Sequence, residues 1–198
     1  MKQKIAWFLT IIGHPLILGT TYVLVMGMAN LPKDKACLLS ILVLGLITFP
    51  IIIHNLRKIK KGSYTNFDVS DQNQRKGFYP FAVLLFLILL FACYFLNFPK
   101  TVVVNTLIFF MMLLLLALVN LKIKASLHAA ISFFAGMGFL SISCSIGILV
   151  LILAMGTTWS RLELKKHSRI EVLTGMMAGL LFGIISFKLL QSPIFPYT

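Results

Sequence analysis

The sequence predicts an all-α, polytopic transmembrane bundle of six to seven spans, forming one integral membrane domain over residues 1–198. Three observations predict it. Of the 198 residues, 59% are hydrophobic and 12% charged, where a soluble domain carries about 25% charge. Only five carboxylates are present, Asp34, Asp68, Asp71, Glu163 and Glu171. That is too few to solvate a globular surface, so lipid must be the solvent for most side chains. Finally, the apolar residues fall in runs of about 20, the length that crosses the hydrocarbon core as a helix. No strand alternation, internal repeat or linker divides them, which excludes a β-barrel and a two-domain chain.

The first run, 5–29, contains His14-Pro15. Lys2 and Lys4 precede it as they would in a signal peptide. The run outlasts an h-region of about 7–15 residues and shows no cleavage site, so it reads as an uncleaved first span. Proline inside a span kinks the helix and frees a carbonyl, so His14 reads as a buried residue at a kink. The second run is 36–54, followed by a polar, basic stretch to Gly77. The third is 78–97, separated by Asn97-Phe98-Pro99-Lys100 from the fourth, 101–121. The region 128–157 is long for one span and short for two. Ser141, Ser143, Ser145 and Gly147 interrupt it, so it reads as a hairpin of two short helices, 128–141 and 145–157. After a basic stretch at 157–170, the last span is 171–190, where Gly175, Gly179 and Gly183 recur at the spacing of close helix packing.

The formal net charge of +13 would point to nucleic acid in a soluble protein. Here the basic residues sit between apolar runs, so nucleic acid is not the expected partner. Anionic lipid headgroups and topology account for them. With seven spans, one face receives Lys2, Lys4, the loop after His54, Lys122, Lys124, Arg161, Lys165, Lys166 and Arg169. The other receives Lys33, Lys35, Lys100 and Lys188, four of the 18. The positive-inside rule makes the basic face and the N-terminus cytoplasmic, in a multi-pass protein of the cell (inner) membrane. A single helix through 128–157 would send the charges of 157–170 across and weaken this bias. Cys37, Cys93 and Cys144 lie in or beside apolar segments without metal-type spacing, and no disulfide is expected.

Polar residues retained inside or beside spans carry the functional signal. Three clusters share the basic face: Asp68 to Arg75, Lys124-Ala125-Ser126-Leu127-His128, and Ser160-Arg161 through His167 to Glu171. His167 and Glu171 are four apart at a helix start and share a face. The carboxylate can fix the imidazole tautomer and leave the other nitrogen as a nucleophile or base. Arg161 can fork onto a phosphate. Two histidines among arginines and lysines, without an acidic cage, point to phosphoryl transfer that needs no metal or other cofactor. The bland reading is an ordinary i,i+4 pair for His167-Glu171, an N-cap for Ser126 and a membrane anchor for Arg75-Lys76. Asp68 and Asp71 are expected to pair with Arg75 or neighbouring lysines, and Glu163 with Arg161 or Lys165.

The third cluster resembles the type 2 phosphatidic acid phosphatase signature S-R-x5-H-x3-D, with Glu171 in the place of the aspartate. Ala125-Ser126-Leu127-His128 is similar to its P-S-G-H motif, and Arg75 falls where K-x6-R-P places its arginine. Asp68 stands for the motif lysine, Lys76 for the proline, Ala125 for the second proline and Leu127 for the glycine. A divergent bacterial subgroup of that superfamily shares the early His-Pro and the acidic stretch before the arginine. The resemblance covers about 68–185. It implies His167 as the nucleophile that forms a phosphohistidine, Glu171 as its orienting group and His128 as acid and then base. Arg75, Arg161 and Ser126 would hold phosphate oxygens, and Lys124 or Lys76 would supply the missing cation.

The function expected is a phosphohydrolase or phosphotransferase on a membrane lipid of the phosphatidate, phosphatidylglycerophosphate or polyprenyl diphosphate class. The alternative is a catalytically degenerate lipid-phosphate-binding protein of the same fold. A prenyltransferase would need a second acidic cluster to hold magnesium, and a transporter would need paired broken helices. The sequence offers neither.

Overall fold

The computed structural model describes residues 1–192, and all regular structure in them is helical. The order is α1 (Lys2–Ile12), α2 (Pro15–Asn30), α3 (Lys33–Val43), a π-turn (Leu44–Thr48), α4 (Phe49–Lys60), α5 (Gln72–Phe95), α6 (Lys100–Val119), α7 (Leu127–Phe139), α8 (Cys144–Glu163) and α9 (Arg169–Leu190). The continuous rod Lys33–Lys60, α5, α6, α8 and α9 are each long and apolar enough to cross a membrane. The pair α1 and α2, bent by 44°, makes a sixth if counted as one span.

The exterior is apolar. Leu84, Ile88, Phe91 and Phe95 of α5, Leu149, Ile152 and Met155 of α8, and Leu173, Met177 and Leu181 of α9 all face outward. The two largest fully buried side chains are Arg75 and Arg161. This is a membrane protein's distribution, with polar side chains collected inside and away from lipid.

Breaks in the helices have local causes. Pro15 is tolerated at the first turn of α2 because its missing N–H would have no partner there. His14 caps that helix with its ring, Nδ1 accepting from the Leu16 N–H at 3.2 Å. The chain passes so close to α8 at this break that a Cβ on Gly13 would collide with Thr157. In the second span, Pro50 has no N–H to give to the turn before it. The helix widens just upstream, and the Phe49 N–H reaches back five residues to the Leu44 carbonyl.

The hairpin departs from the expected pair of short helices. Only α7 is short. Its 13 residues rise about 20 Å, less than the roughly 30 Å of hydrocarbon. Every residue of α7 except Met137 is buried, so it is an internal post and no lipid-facing span. α8 is a full-length helix of 20 residues and runs beyond 157 to Glu163. Its last turns are held against α1, where Thr10 and Ser160 share a 2.8 Å hydrogen bond between hydroxyls.

α7 lies along α9, both running in the same direction. A Cβ on Gly175 would meet the Ser126 carbonyl, and one on Gly179 the Ala130 carbonyl. α8 returns antiparallel to α7, Gly136 beside Leu151 and Gly147 beside Leu140. Segments 61–71, 120–126 and 164–168 therefore gather at one end of the bundle. Gln72 donates to the Asn120 carbonyl there (2.7 Å) and Lys124 to the Lys166 carbonyl (3.1 Å). At the opposite end Lys35 donates to the Leu96 carbonyl at 2.9 Å.

Candidate functional site

The three polar clusters converge at the first of these ends. His167 sits in the α8–α9 turn, where Lys165 takes a left-handed φ of 52°. Ser168 then starts α9 as an N-cap. Its hydroxyl accepts from the Glu171 N–H at 3.3 Å, while Glu171 Oε2 accepts from the Ser168 N–H at 3.1 Å, a capping box. The same Oε2 lies 2.9 Å from His167 Nδ1. A neutral His167 then carries its proton on Nδ1, and the buried Nε2 is a free lone pair without a hydrogen-bond partner. Burial first, then the charges of Arg75, Arg161 and Lys124, pushes the His167 pKa down to about 2. The ring is neutral wherever a membrane functions.

A glutamate suits position 171 for a physical reason. The longer arm reaches back to the N-cap N–H, which a glutamate at the third helical position does best, and holds the imidazole with the same oxygen. Lys124 Nζ stands 3.7 Å from that oxygen. A backbone bond from the Ser126 N–H to the Glu171 carbonyl, 2.9 Å, joins the start of α7 to α9.

Asp68 departs from its expected partners. It pairs with neither Arg75 nor a lysine but with Arg161, Nη1 to Oδ2 at 2.8 Å. Arg161 is accordingly not paired to Glu163 as expected, because the longer α8 aims its guanidinium inward at full burial. Asp68 Oδ1 also faces His14 Nε2 at 3.4 Å, and Oδ2 faces His128 Nε2 at 3.9 Å. Burial works to raise the Asp68 carboxyl, but His14, His128 and Arg161 together hold it well below the usual carboxylate range. The loop that presents it is built for the purpose. Asn55 donates to the Phe67 carbonyl (3.0 Å), Arg75 Nε to the Val69 carbonyl (2.8 Å), and Thr65 N–H to Gln74 (3.0 Å). Val69, next to Asp68, is held at φ 48°, a conformation a β-branched residue adopts only when its surroundings over-determine it.

The sequence marks His14 only as a buried residue at a kink. It is no mere kink-filler: its ring stands edge-on to His128 with centroids 5.3 Å apart and contacts Asp68. The available signal was its polarity within an otherwise apolar span. His14, Asp68 and His128 each offer a ligand atom within 4.8 Å of the others, a spacing compatible with a metal. The donor chemistry opposes one. His14 Nδ1 accepts from Leu16, so the neutral ring's proton is on Nε2, the atom facing Asp68, and Asp68 Oδ2 is taken by Arg161.

Of the other expected site residues, Arg75 is buried with Nε and Nη1 donated to the Val69 and Ala125 carbonyls, the latter at 2.7 Å. Ser126 Oγ accepts from the Ala129 N–H at 3.4 Å as the N-cap of α7, which leaves its O–H free to donate. His128 is buried in the first turn of α7. Lys76 is exposed on α5, outside the cluster. Asp71 caps α5 through the Asn73 and Gln74 N–H groups.

Four atoms in this cluster are buried and without a hydrogen-bond partner: His128 Nε2, His167 Nε2, and Arg161 Nε and Nη2. Beneath it, a cavity of about 150 Å³ starts at His14, Asp68, Arg75 and His128 and runs between α2, the second span, α5, α6 and α7. It reaches Leu31, Leu39, Leu89 and Val102 near the other end.

Fold and site together define an all-helical multi-span membrane protein with a cationic histidine site buried at one end of its bundle. Comparison with family models, with curated proteins and with solved structures finds no match to this chain.

Proposed function

We propose that the protein is a phosphohydrolase or phosphotransferase acting on a membrane lipid phosphate or diphosphate through a phosphohistidine. The observation that carries this reading is the group of buried atoms without partners. Unpaired buried polar atoms are costly, and here two are guanidinium donors and two are imidazole nitrogens, the complement of one phosphoryl group.

In the proposed reaction, Arg161 Nε and Nη2 and the Ser126 hydroxyl hold phosphate oxygens. His167 Nε2 attacks phosphorus with its lone pair. The bond from phosphorus to the leaving oxygen breaks, and His128, which takes up a proton as the anionic phosphate enters beside it, gives its Nε2 proton to that oxygen. Glu171 stabilises the charge that develops on the His167 ring. Water then attacks the phosphohistidine while His128 takes its proton, releasing phosphate and restoring both histidines. An acceptor alcohol in place of water makes the reaction a transfer. The resemblance to the type 2 phosphatidic acid phosphatase motifs supports the same roles.

A second reading is a lipid-phosphate-binding protein without turnover, favoured by Asp68, whose carboxylate takes one donor of Arg161. Phosphate release across a panel of lipid phosphates, with EDTA present, separates the two. Wild type releases phosphate and His167→Ala releases none while keeping its thermal unfolding profile. Equal release by the variant removes the phosphohistidine reading, and no release by either favours the binding protein. We place the site end on the cytoplasmic side of the cell membrane, where its excess Lys and Arg also meets anionic headgroups. A single cysteine introduced at Lys60, reactive from outside intact cells, overturns that orientation.

A further inference from the structure

The two ring nitrogens of His14 serve two different neighbours. A residue before proline is pushed into extended backbone, and His14, in front of Pro15, sits at φ −64° and ψ 133°. From there its ring folds over the start of α2, where Nδ1 accepts the Leu16 N–H. In the neutral ring that bond puts the proton on Nε2. The ring is then a donor fixed in place by its own helix, and its Nε2 stands 3.4 Å from Asp68 Oδ1.

The break that carries His14 is seated on the helix that carries Arg161. Gly13 lies so close to Thr157 of α8 that a Cβ would collide with it. Thr157 is four residues before Arg161, on the same face of that helix. The Thr10–Ser160 bond holds α1 to the same turn. Backbone packing thus sets His14 opposite Arg161, and Asp68 lies between them, with Oδ1 toward His14 and Oδ2 on Arg161 Nη1 at 2.8 Å.

A carboxylate beside a guanidinium frequently binds it with both oxygens, in two parallel bonds. Asp68 does not. Its Oδ1 is turned to His14, only Nη1 of Arg161 is taken, and Nε and Nη2 stay buried without a partner. Those two donors are the ones assigned above to phosphate oxygens. With Oδ1 released, rotation about the Asp68 Cβ–Cγ bond would bring it onto Nη2 and complete the fork.

We infer that His14 is a positioning residue: its Nε2–H restrains Asp68 to a single bond on Arg161 and so keeps the second edge of that guanidinium open for a phosphoryl group. The ligand chemistry rests on the phosphohydrolase reading, whereas the division of Asp68 between two donors does not. His14 acts through Asp68 and Arg161, so its loss falls first on anion binding.

Two substitutions separate the two ring nitrogens. Asparagine places an oxygen close to the position of Nδ1 and is among the best N-caps, but its amide is too short to reach Asp68. Glutamine places its amide close to the position of Nε2, keeping the donor while weakening the cap. Orthovanadate affinity is measured by calorimetry on the purified full chain in detergent. His14→Asn is expected to bind about ten-fold more weakly than wild type, the scale of one charge-assisted hydrogen bond, with its unfolding temperature unchanged. His14→Gln is expected to bind within about three-fold of wild type while unfolding at a lower temperature. In an Asp68→Asn background, His14→Asn should alter affinity less than about two-fold, because an amide has one acceptor oxygen and cannot close the fork.

A role confined to the helix cap predicts the opposite order, with His14→Gln the weaker binder. Unchanged binding in His14→Asn, a loss in His14→Gln as large as in His14→Asn, or a loss that persists with Asp68→Asn overturns the inference and leaves the phosphohydrolase reading standing. If wild type binds no orthovanadate, the phosphoryl reading is what fails. The positioning is then read from the guanidinium itself, in nitrogen-15 spectra of arginine-labelled protein with Arg161 assigned through Arg161→Lys. A closed fork stops rotation of the guanidinium, so His14→Asn should separate the two Arg161 Nη signals that wild type and His14→Gln average. The same Arg161 spectrum in wild type and His14→Asn overturns the inference.

Discussion

Glu171 Oε2 is bound to His167 Nδ1 at 2.9 Å and closes the capping box of α9 with the same atom. Orientation of the proposed nucleophile and the start of the last span are thus one interaction. Glu171→Gln can satisfy the cap only by turning its carbonyl to the N–H, and it loses the charge that balances the imidazole during attack. A fall in kcat of at least about 100-fold with little change in KM is expected, as when an orienting carboxylate is neutralised elsewhere. Glu171→Asp, one methylene short of the cap, should also lose about 1 kcal/mol of stability. Steady-state kinetics and unfolding measured on both variants check the two effects separately.

The depressed pKa of His167 has a stability consequence whose sign follows from linkage. An unfolded histidine takes up its proton near 6.5, and the folded ring does so only near 2. Between those values the unfolded state holds the extra proton. Stability from this group is therefore full above about pH 6.5 and declines as pH falls below it. Wild type should lose up to about 1.4 kcal/mol more per pH unit than His167→Gln over that interval. Parallel slopes for the two proteins in detergent between pH 4.5 and 6.5 would show that the ring is not held neutral.

Asp68 lies between Arg161, His14 and His128, so removing its charge has opposed effects on binding and turnover. In Asp68→Asn the second guanidinium edge is freed and one negative charge leaves the anion position. Affinity for orthovanadate or inorganic phosphate should rise about ten-fold, on the order of 1 kcal/mol or more at surface-like dielectric. The kcat should fall at least ten-fold, because His128 loses the carboxylate facing its Nε2. Titration followed by calorimetry, with kinetics on the same preparation, reads both. Weaker phosphate binding in the variant would mean that Asp68 serves only to hold Arg161.

The α7–α9 contact sets the spacing of His128 and His167, since each stands at the start of one of these helices. Gly179→Ala drives a methyl into the Ala130 carbonyl with backbone on both sides. Destabilisation of about 1–3 kcal/mol, the range for overpacking, is expected together with loss of turnover. Gly45→Ala, where no atom lies within 4 Å of the added Cβ, should leave both unchanged. Thermal unfolding in detergent compares them directly.

Much of this arrangement was legible in the chain. Run length and sparse charge give the membrane bundle, and the spacing of His167 and Glu171 gives their contact, because helical periodicity is local. Gly175 and Gly179 likewise announce a close helix contact. Asp68 and His14 were not legible as partners. Their meeting depends on a loop folded back by Asn55 and Arg75 and on a helix break seated against Thr157, none of which has a sequence period. The capping box at Ser168 was in plain view, with serine and glutamate three apart, and was masked by the more suggestive pair four apart. The end of α8 at Glu163 was not legible, because Thr157 and Ser160 look like loop residues until α1 is there to cover them.

The π-turn at Leu44–Thr48 amounts to one residue more than a regular helix requires. Deleting a residue such as Gly45 would let Lys33–Lys60 close into an unbroken α-helix with the residues on either side still in phase. Deleting one between Ile51 and Asn55, where the helix is regular, would instead turn everything beyond it by about 100°, and Asn55 would no longer reach the Phe67 carbonyl beside Asp68. The widened turn is thus the place where this span can change length by a residue without moving the loop it carries.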